Sequence, residues 1–356
     1  MKFTNCVTLV GSKPKRYEGI KRYVSTGALA VDHIDEESVE LVGYEDRPSR
    51  ADLTAEAGDV LFAKMADTKK TLLLDKKTAE NIYSTGFFAV RAKPGMITAE
   101  CLYYLLTSDV FLRQKNKHSS GATQRAITNK GLEAIDISIP NLDEQTRLVA
   151  KLDALSRVIK SREQQLVELD NLIKARFVEL FGGGETPIKT VEELCETIVD
   201  CPHTTPKYEG ELKNPAIRTS EIKKGYIMWE SMRYVSDEEY EERTARLKPK
   251  AGDIVYGREG TFGNAAILPE GHNFCLGQRV MLLRPDYSKC TSEYLLHAVI
   301  SDDVYRQAVE KNNASTVAHV NVKDVKQFRI PLPSLDKQNQ FASFVEQTDK
   351  SKVVEM

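Results

Sequence analysis

Hydrophobic positions change their period along this chain. Up to residue 141 they fall in short clusters bounded by turn residues. "VELVGYE" from Val39 and "DVLFAKM" from Asp59 read as strands. "TAECLYYLLTSDVFLRQ" from Thr98 has helical spacing, with Thr98 as N-cap and an acid in the first turn. A polar loop comes next, then an alternating strand through Ile135, Ile137 and Ile139. The same order returns later in the chain. "GYIMWE" from Gly225 and "DIVYGRE" from Asp253 read as strands, and "TSEYLLHAVISDDVYRQAV" from Thr291 as a helix. Phe328, Ile330 and Leu332 then alternate. Gly-Asp introduces a strand both times, at Gly58-Asp59 and Gly252-Asp253, a turn signal ahead of an aliphatic run.

Between the two patterns the period becomes seven. Leu152, Ile159, Leu166, Ile173 and Leu180 recur at that spacing, and Leu148, Leu155 and Leu169 fall on the second seam position. A seven-residue apolar repeat with charges elsewhere is the pattern of a coiled coil. From Leu142 to Phe181 it predicts a helix of about 40 residues, roughly 60 Å long at 1.5 Å per residue. "FGGGETP" ends it. Those glycines come after a helix, whereas a dinucleotide fingerprint needs them after a strand. From Gln340, "QFASFVEQTDKSKVVEM" offers a second seam through Phe341, Phe344, Val345 and Thr348, about half as long.

The two patterns are copies. "IPNLDEQTRLVAKLDAL" from Ile139 and "LPSLDKQNQFASFVEQT" from Leu332 align at a shift of 193, and so do Pro140 with Pro333 and Arg91 with Arg284. A single shift held over many positions argues for duplication. The predicted fold is α+β: two similar units, each with one layer of helix on a mostly antiparallel sheet or half-barrel, separated by long coiled-coil helices.

Composition narrows the class. Hydrophobic residues make up 41 % of 356, enough for two cores, and no run approaches a membrane span. The first residues lack the apolar stretch of a signal peptide. Six cysteines (Cys6, Cys101, Cys195, Cys201, Cys275 and Cys290) form no C-x-x-C and read as buried thiols in a reducing cytoplasm. Cys201 beside His203 is the one pairing to weigh as a metal site, and buried-thiol packing explains it more simply. The net charge is −2, so local charge is the guide. "RQKNKHSSGATQRAITNK" from Arg113 carries five Lys or Arg and no acid, interrupted by small polar residues that suit a loop against phosphates. "SKPKRYEGIKR" from Ser12 is also mostly basic.

Catalytic patterns are missing. No G-x-S-x-G, H-E-x-x-H, P-loop or Asp/Asn-Pro-Pro-aromatic motif occurs, and "RPDYSKC" lacks the second acid of a nuclease core. His33, His118, His203, His272, His297 and His319 are scattered and read as surface or core residues. No cofactor is expected.

The borders between unit and helix carry a resemblance. "GATQRAITNKGLEAIDISIPNLDEQTRLVAKLD" from Gly121 and "NNASTVAHVNVKDVKQFRIPLPSLDKQNQFASFVEQTDK" from Asn312 resemble the junction of a target-recognition domain with a repeated helix in the specificity (S) subunit of type I restriction–modification systems. "ARFVELFG" from Ala175 resembles that family's first-helix terminus. "DCPHTTPKYEG" from Asp200, "AIRTSEIKKGYI" from Ala216 and "AGDIVYGREGTFGNAAILPE" from Ala251 resemble one of its recognition-domain types. The resemblance implies a non-catalytic, cytoplasmic reader of double-stranded DNA. Its recognition domains would span 1–141 and 185–334, its spacer helices 142–184 and 335–356. Each domain would read half of an asymmetric, bipartite site. Modification (methyltransferase) subunits would grip the helices, and a restriction (motor-nuclease) subunit would join them. The second helix is shorter than the family's pattern. That motivates a homodimer in which the first spacer helix of another copy covers the exposed seam.

Base contacts need Arg, Lys, Gln, Asn, Ser or Thr. In the first unit these expectations fall on Lys64, Lys69, Lys70, Gln124 and Arg125. In the second they fall on Arg258, Thr261, Arg279 and His319, with Lys207 and Lys224 as weaker phosphate candidates. Arg258 is favoured because Gly257 and Gly260 flank it. The bland alternative for each is a solvated surface charge. Two other functions remain open: a stand-alone nuclease or methyltransferase with an unrecognised site, and a protein-binding scaffold.

Overall fold

The structure, a computed structural model, describes residues 1–122, 124–183, 186–209, 213–259, 263–311 and 319–355. The chain forms two compact units, Met1–Lys160 and Ser161–Met356. The first is built on a four-stranded antiparallel sheet of β1 (Val7–Val10), β2 (Val60–Ala63), β3 (Thr71–Leu73) and β4 (Phe87–Ala92), in the order β1-β4-β2-β3. Helices α1 (Ala99–Thr107) and α2 (Asp109–Lys117) cover one face, and the chain continues into α3 (Leu142–Phe181). The second unit repeats the sheet with β5 (Cys195–Asp200), β6 (Ile254–Gly257), β7 (Ala265–Ile267) and β8 (Val280–Pro285), in the order β5-β8-β6-β7. Its helices are α4 (Ser292–Val299), α5 (Asp302–Lys311) and α6 (Leu335–Glu355).

Each main sheet is buried on both faces, which explains why β2 and β6 read as continuous apolar runs. In β2, Val60 and Phe62 join the helices while Leu61 and Ala63 meet a second, smaller sheet. In β6, Ile254 and Tyr256 join the helices while Val255 meets the smaller sheet. Both smaller sheets contain one parallel pairing, Tyr23 with Ile82 and Ala216 with Cys275, again 193 residues apart. The α+β duplication therefore extends to register.

Three local expectations change. Each predicted helix is two helices. Ser108 breaks the first with extended φ −74°, ψ 151°, its Oγ accepting from the Phe111 amide at 3.2 Å. Serine ahead of aspartate is a helix start, and here that local signal outweighs continuation. Ser301 does the same ahead of α5, accepting from Val304 at 3.3 Å. "GYIMWE" is not a strand. Gly225, at φ +94°, turns the chain and leaves isolated bridges, Ile222 with Ile227 and Lys224 with Ala265. Ile135 and Ile137 are buried as alternation predicts, but unit one pairs there only through a bridge of Lys2 with Asp136. The equivalent Arg329–Pro331 does pair, with Ile188–Thr190.

Two features recur in both units, one inside the main sheet and one at the start of the helix after it. Asp59 binds Arg91 at 2.6 and 3.0 Å, and Asp253 binds Arg284 at 2.8 and 2.7 Å. Gly58 and Gly252, at φ +89° and +87°, make the turns that present these carboxylates. The glutamine of the repeated "L-D-x-Q" phrase is fully buried in both copies. Gln145 accepts from the Thr98 amide and donates to the Met96 and Pro140 carbonyls, all at 2.9 Å. Gln338 makes the matching bonds to Thr291, Lys289 and Pro333, at 2.9 to 3.0 Å.

The seam residues divide along α3. Ile173 is buried and Leu180 partly buried in the core of unit two, beside Phe341, Phe344 and Val345 of α6. Phe341 lies 5.4 Å from Phe177 and 5.5 Å from Phe181, while Lys352 pairs with Asp170 at 2.7 Å, so α6 runs antiparallel to the end of α3. Leu152, Leu166 and Leu169 are partly buried. Leu148, Leu155 and Ile159 are 43, 59 and 58 % exposed.

Candidate nucleic-acid interface

Three segments meet at the far end of the central strand in each unit. After β2, the Lys64 amide donates to Gly86 at 2.9 Å, and the Ile127 amide to the Lys64 carbonyl at 2.9 Å. After β6, Arg258 donates to Arg279 at 3.0 Å and receives from Val320 at 2.9 Å. One residue further, Met65 bridges Ala126 and Glu259 bridges His319. The partners Gly86 and Arg279, Ile127 and Val320, and Ala126 and His319 are each 193 residues apart. A strand end, the connection between the two sheets and the polar loop thus make one edge, twice.

In unit one most of the charge on this edge is already used. The Lys64 ammonium donates to the Thr85 carbonyl at 2.8 Å and lies 4.5 Å from the Phe88 ring centre, and burial holds its pKa below the usual value. Lys70 donates to the Thr26 carbonyl at 2.7 Å. Lys69 pairs with Asp109 at 2.7 Å and holds that carboxyl below the ordinary range. Gln124 reaches Met65 Sδ at 2.9 Å, and Arg125 donates to the Asn116 carbonyl at 2.5 Å, both remaining exposed. The sequence reading missed Lys115. It is buried on α2, donates to the Ala63 and Thr68 carbonyls at 3.2 and 2.5 Å, and is pushed down to about 8 by burial. The basic run that holds it was expected to be loop, but its first part is helical.

Unit two arranges its cations differently. Arg258 is buried, and its terminal nitrogen binds Asp200 Oδ1 at 2.7 Å. Its Nε and the Tyr256 hydroxyl are buried and meet no hydrogen-bond partner among the described residues. Asp200 also accepts from the Cys201 amide at 2.9 Å and faces His203 at 3.4 Å. Arg279 is 63 % exposed in its side chain, at φ +65°, and its Nε lies 2.8 Å from Glu259, whose side chain is 19 % exposed. Asp67, on the unit-one edge, is the other non-glycine at positive φ among the described residues, at +57°. Both left-handed residues thus fall on the two candidate edges, and such strained backbone concentrates at functional sites. Lys207 and Lys224 are exposed, the latter 5.7 Å from the Tyr305 ring centre. Thr261 and Gly260 lie outside the described residues. Asp200 and Glu259 went unremarked in the sequence because their roles exist only once distant segments meet. Among the described residues, no cluster of three or more His, Cys, Asp or Glu is placed to hold a metal ion.

The family model for the type I restriction modification DNA specificity domain matches this chain twice, over residues 42–171 and 188–354. The chain belongs to that family. Each match carries one edge and most of the long helix after it. The EcoBI specificity subunit of Escherichia coli is 24 % identical over 268 residues, covering 67 % of this chain and 56 % of that protein. The EcoDI specificity subunit is 21 % identical over 290 residues, covering 72 % and 64 %. The chain therefore spans about three fifths of the length of these curated relatives. A type I restriction–modification S subunit from M. genitalium shares the fold, with a TM-score of 0.54 at 12 % identity over 100 % of this chain and 90 % of that one. A chain from a study of type I R-M complex assembly gives a TM-score of 0.51 at 21 % identity over 99 % and 93 %. No helix among the described residues is long and apolar enough to cross a membrane.

Proposed function

We propose that this chain is a non-catalytic DNA reader, in which each unit recognises half of an asymmetric, bipartite site. The observation that carries the proposal is the edge built twice on one backbone plan with unlike side chains, in a member of this family. Similar backbones approach DNA alike, and unlike side chains read unlike bases. The functional division is recognition domains 1–141 and 185–334 with spacer helices 142–184 and 335–356. Gln124, Arg125, Arg279 and His319 are the DNA-facing set, and Lys69 joins them by exchanging Asp109 for phosphate. Lys64, Lys70 and Arg258 act from behind the edge, because their charges are spent on protein acceptors. The spacer helices dock methyltransferase and motor-nuclease subunits, which supply the chemistry. The exposed stripe at Leu148, Leu155 and Ile159 lets α3 pair with α3 of a second copy when those subunits are absent. A single 40 kDa species in sedimentation at micromolar concentration would remove that pairing.

Spacing tests the main reading. Seven residues inserted after Lys160 lengthen the helix by about 10.5 Å. Mapping methylated adenines in cells that also carry the modification subunit should then show both half-sites kept and the unread spacer longer by about three base pairs, at roughly 3.4 Å each. An unchanged spacer would refute the ruler, and DNA cleavage or methylation by the purified chain alone would refute the non-catalytic role.

A further inference from the structure

Arg279 and Glu259 form a couple with no counterpart in unit one. Arg279 stands where unit one has Gly86. A Cβ at Gly86 would come within 2.7 Å of Thr26 Cγ2, so no side chain issues from that point of the first edge. In unit two the connection between the two sheets instead holds an arginine in the left-handed region, a conformation in which glycine would be less strained. Its side chain is largely exposed, and the ion pair with Glu259 is made through Nε. That geometry leaves the terminal nitrogens as the fork that can donate to two acceptors side by side. The Glu259 carboxylate is mostly buried, and it sits on the residue that bridges His319 of the polar loop. A carboxylate is a poor neighbour for phosphate, but it accepts well from an exocyclic amine.

We propose that Arg279 and Glu259 together read one G·C base pair from the major groove. Arg279 donates from its terminal nitrogens to guanine O6 and N7, and Glu259 accepts from cytosine N4 while steadying the guanidinium through Nε. These are the donor and acceptor patterns that the two bases present there. Because the couple is neutral as a unit, it adds specificity without adding to the salt-dependent phosphate attraction. The assignment rests on the DNA-reading role proposed above and names one of its specificity determinants.

The test is selection of bound duplexes from a randomised 40-base-pair pool by the full-length chain at low salt, compared with Arg279→Gly, Glu259→Gln and the double variant. Arg279→Gly removes the left-handed side chain, and the double variant also leaves no carboxylate unpaired, so a folded comparison survives even if one single variant does not. Thermal melting checks this. The expected result is a bipartite motif for the wild type with an invariant G·C pair in one half-site. In Arg279→Gly and the double variant, discrimination at that pair alone should fall roughly tenfold or more, with the salt slope unchanged. Glu259→Gln should weaken discrimination at the same pair by a smaller factor, because Arg279 still reads the guanine. An unaltered motif in folded variants overturns the assignment. So does a uniform loss across all sequences with a salt slope lowered by about one, which is the signature of a phosphate contact. Failure of the wild type to enrich any motif instead overturns the DNA-reading role itself.

Discussion

The two candidate edges share a backbone and differ in how they hold charge. In unit one, Lys64, Lys70 and Lys115 donate to main-chain carbonyls. Lysine is a point charge on a flexible stem, and here it serves to fasten loops. In unit two the cations are arginines, each steadied by an acid, Arg258 by Asp200 and Arg279 by Glu259. A planar fork held by a carboxylate is already oriented, so less freedom is lost when it meets a base edge. Duplication thus preserved the register of the sheet and released the side chains at its end to take on different chemistry. Away from that edge each unit shows the reverse, with both the glutamine clamp and the Asp–Arg pair kept.

The Asp–Arg pair gives the sharpest way to break this comparison. Asp253 and Arg284 are both nearly buried, whereas Arg91, the partner of Asp59, is 46 % exposed. Asp253→Ala should cost about 3–5 kcal/mol, the range for leaving a buried charge unpaired. Asp59→Ala should cost clearly less, because water can reach Arg91. Trp229 is the chain's one tryptophan, so its fluorescence in urea reports unit two, while hydrogen exchange in β2 and β4 reports unit one. Equal losses would show that the two units do not differ in burial as described.

The glutamine clamp should behave alike in both units. Gln145→Ala and Gln338→Ala each strand an amide and two carbonyls, at a cost of ~1–3 kcal/mol. The same measurements apply, and a loss confined to one unit would break the equivalence.

The smallest expected difference depends on pH. Where unit one has Tyr104, bonded to Asp153 at 2.6 Å, unit two has His297, with Phe341 5.1 Å and Phe177 6.2 Å away. Burial pushes His297 down to about 4, against an opposing effect of Asp349, with Lys352 and Asp170 also near. Burial, helped by Asp349, pushes Glu293 up to about 6. As pH falls from 6.5 towards 4, the unfolded chain protonates His297 first and stability drops. As pH falls from 6 towards 4.5, the folded chain protonates Glu293 first and stability rises. The two effects offset each other. Glu293→Gln should therefore make unit two lose more stability between pH 7 and pH 5 than the wild type does, and His297→Phe should make it lose less. Urea midpoints by Trp229 fluorescence decide it, and parallel pH profiles in all three proteins would reject the offset.

Much of this architecture was legible because duplication writes itself into the chain. A shift of 193 aligned Arg91 with Arg284, one of 194 aligned the two Gly-Asp turns, and a seven-residue period marked out the long helix. Local signals were read less well where two competed, as at Ser108, where a cap won over a continuing helical pattern. At the edges, residue type was a poor guide. Lys64 and Arg258 occupy the position the sequence reading indicated, yet their charges turn to Thr85 and Asp200.

Spacing between neighbours lies wholly within the sequence, and it determined the strand faces, the helix seams, the caps and the existence of two copies. Only the tertiary structure decided which cations are spent and which are offered. That depends on acceptors brought from far along the chain, such as Asp200 to Arg258 and Ala63 to Lys115. A charge's availability is a property of its surroundings, and burial sets that only after the chain has folded.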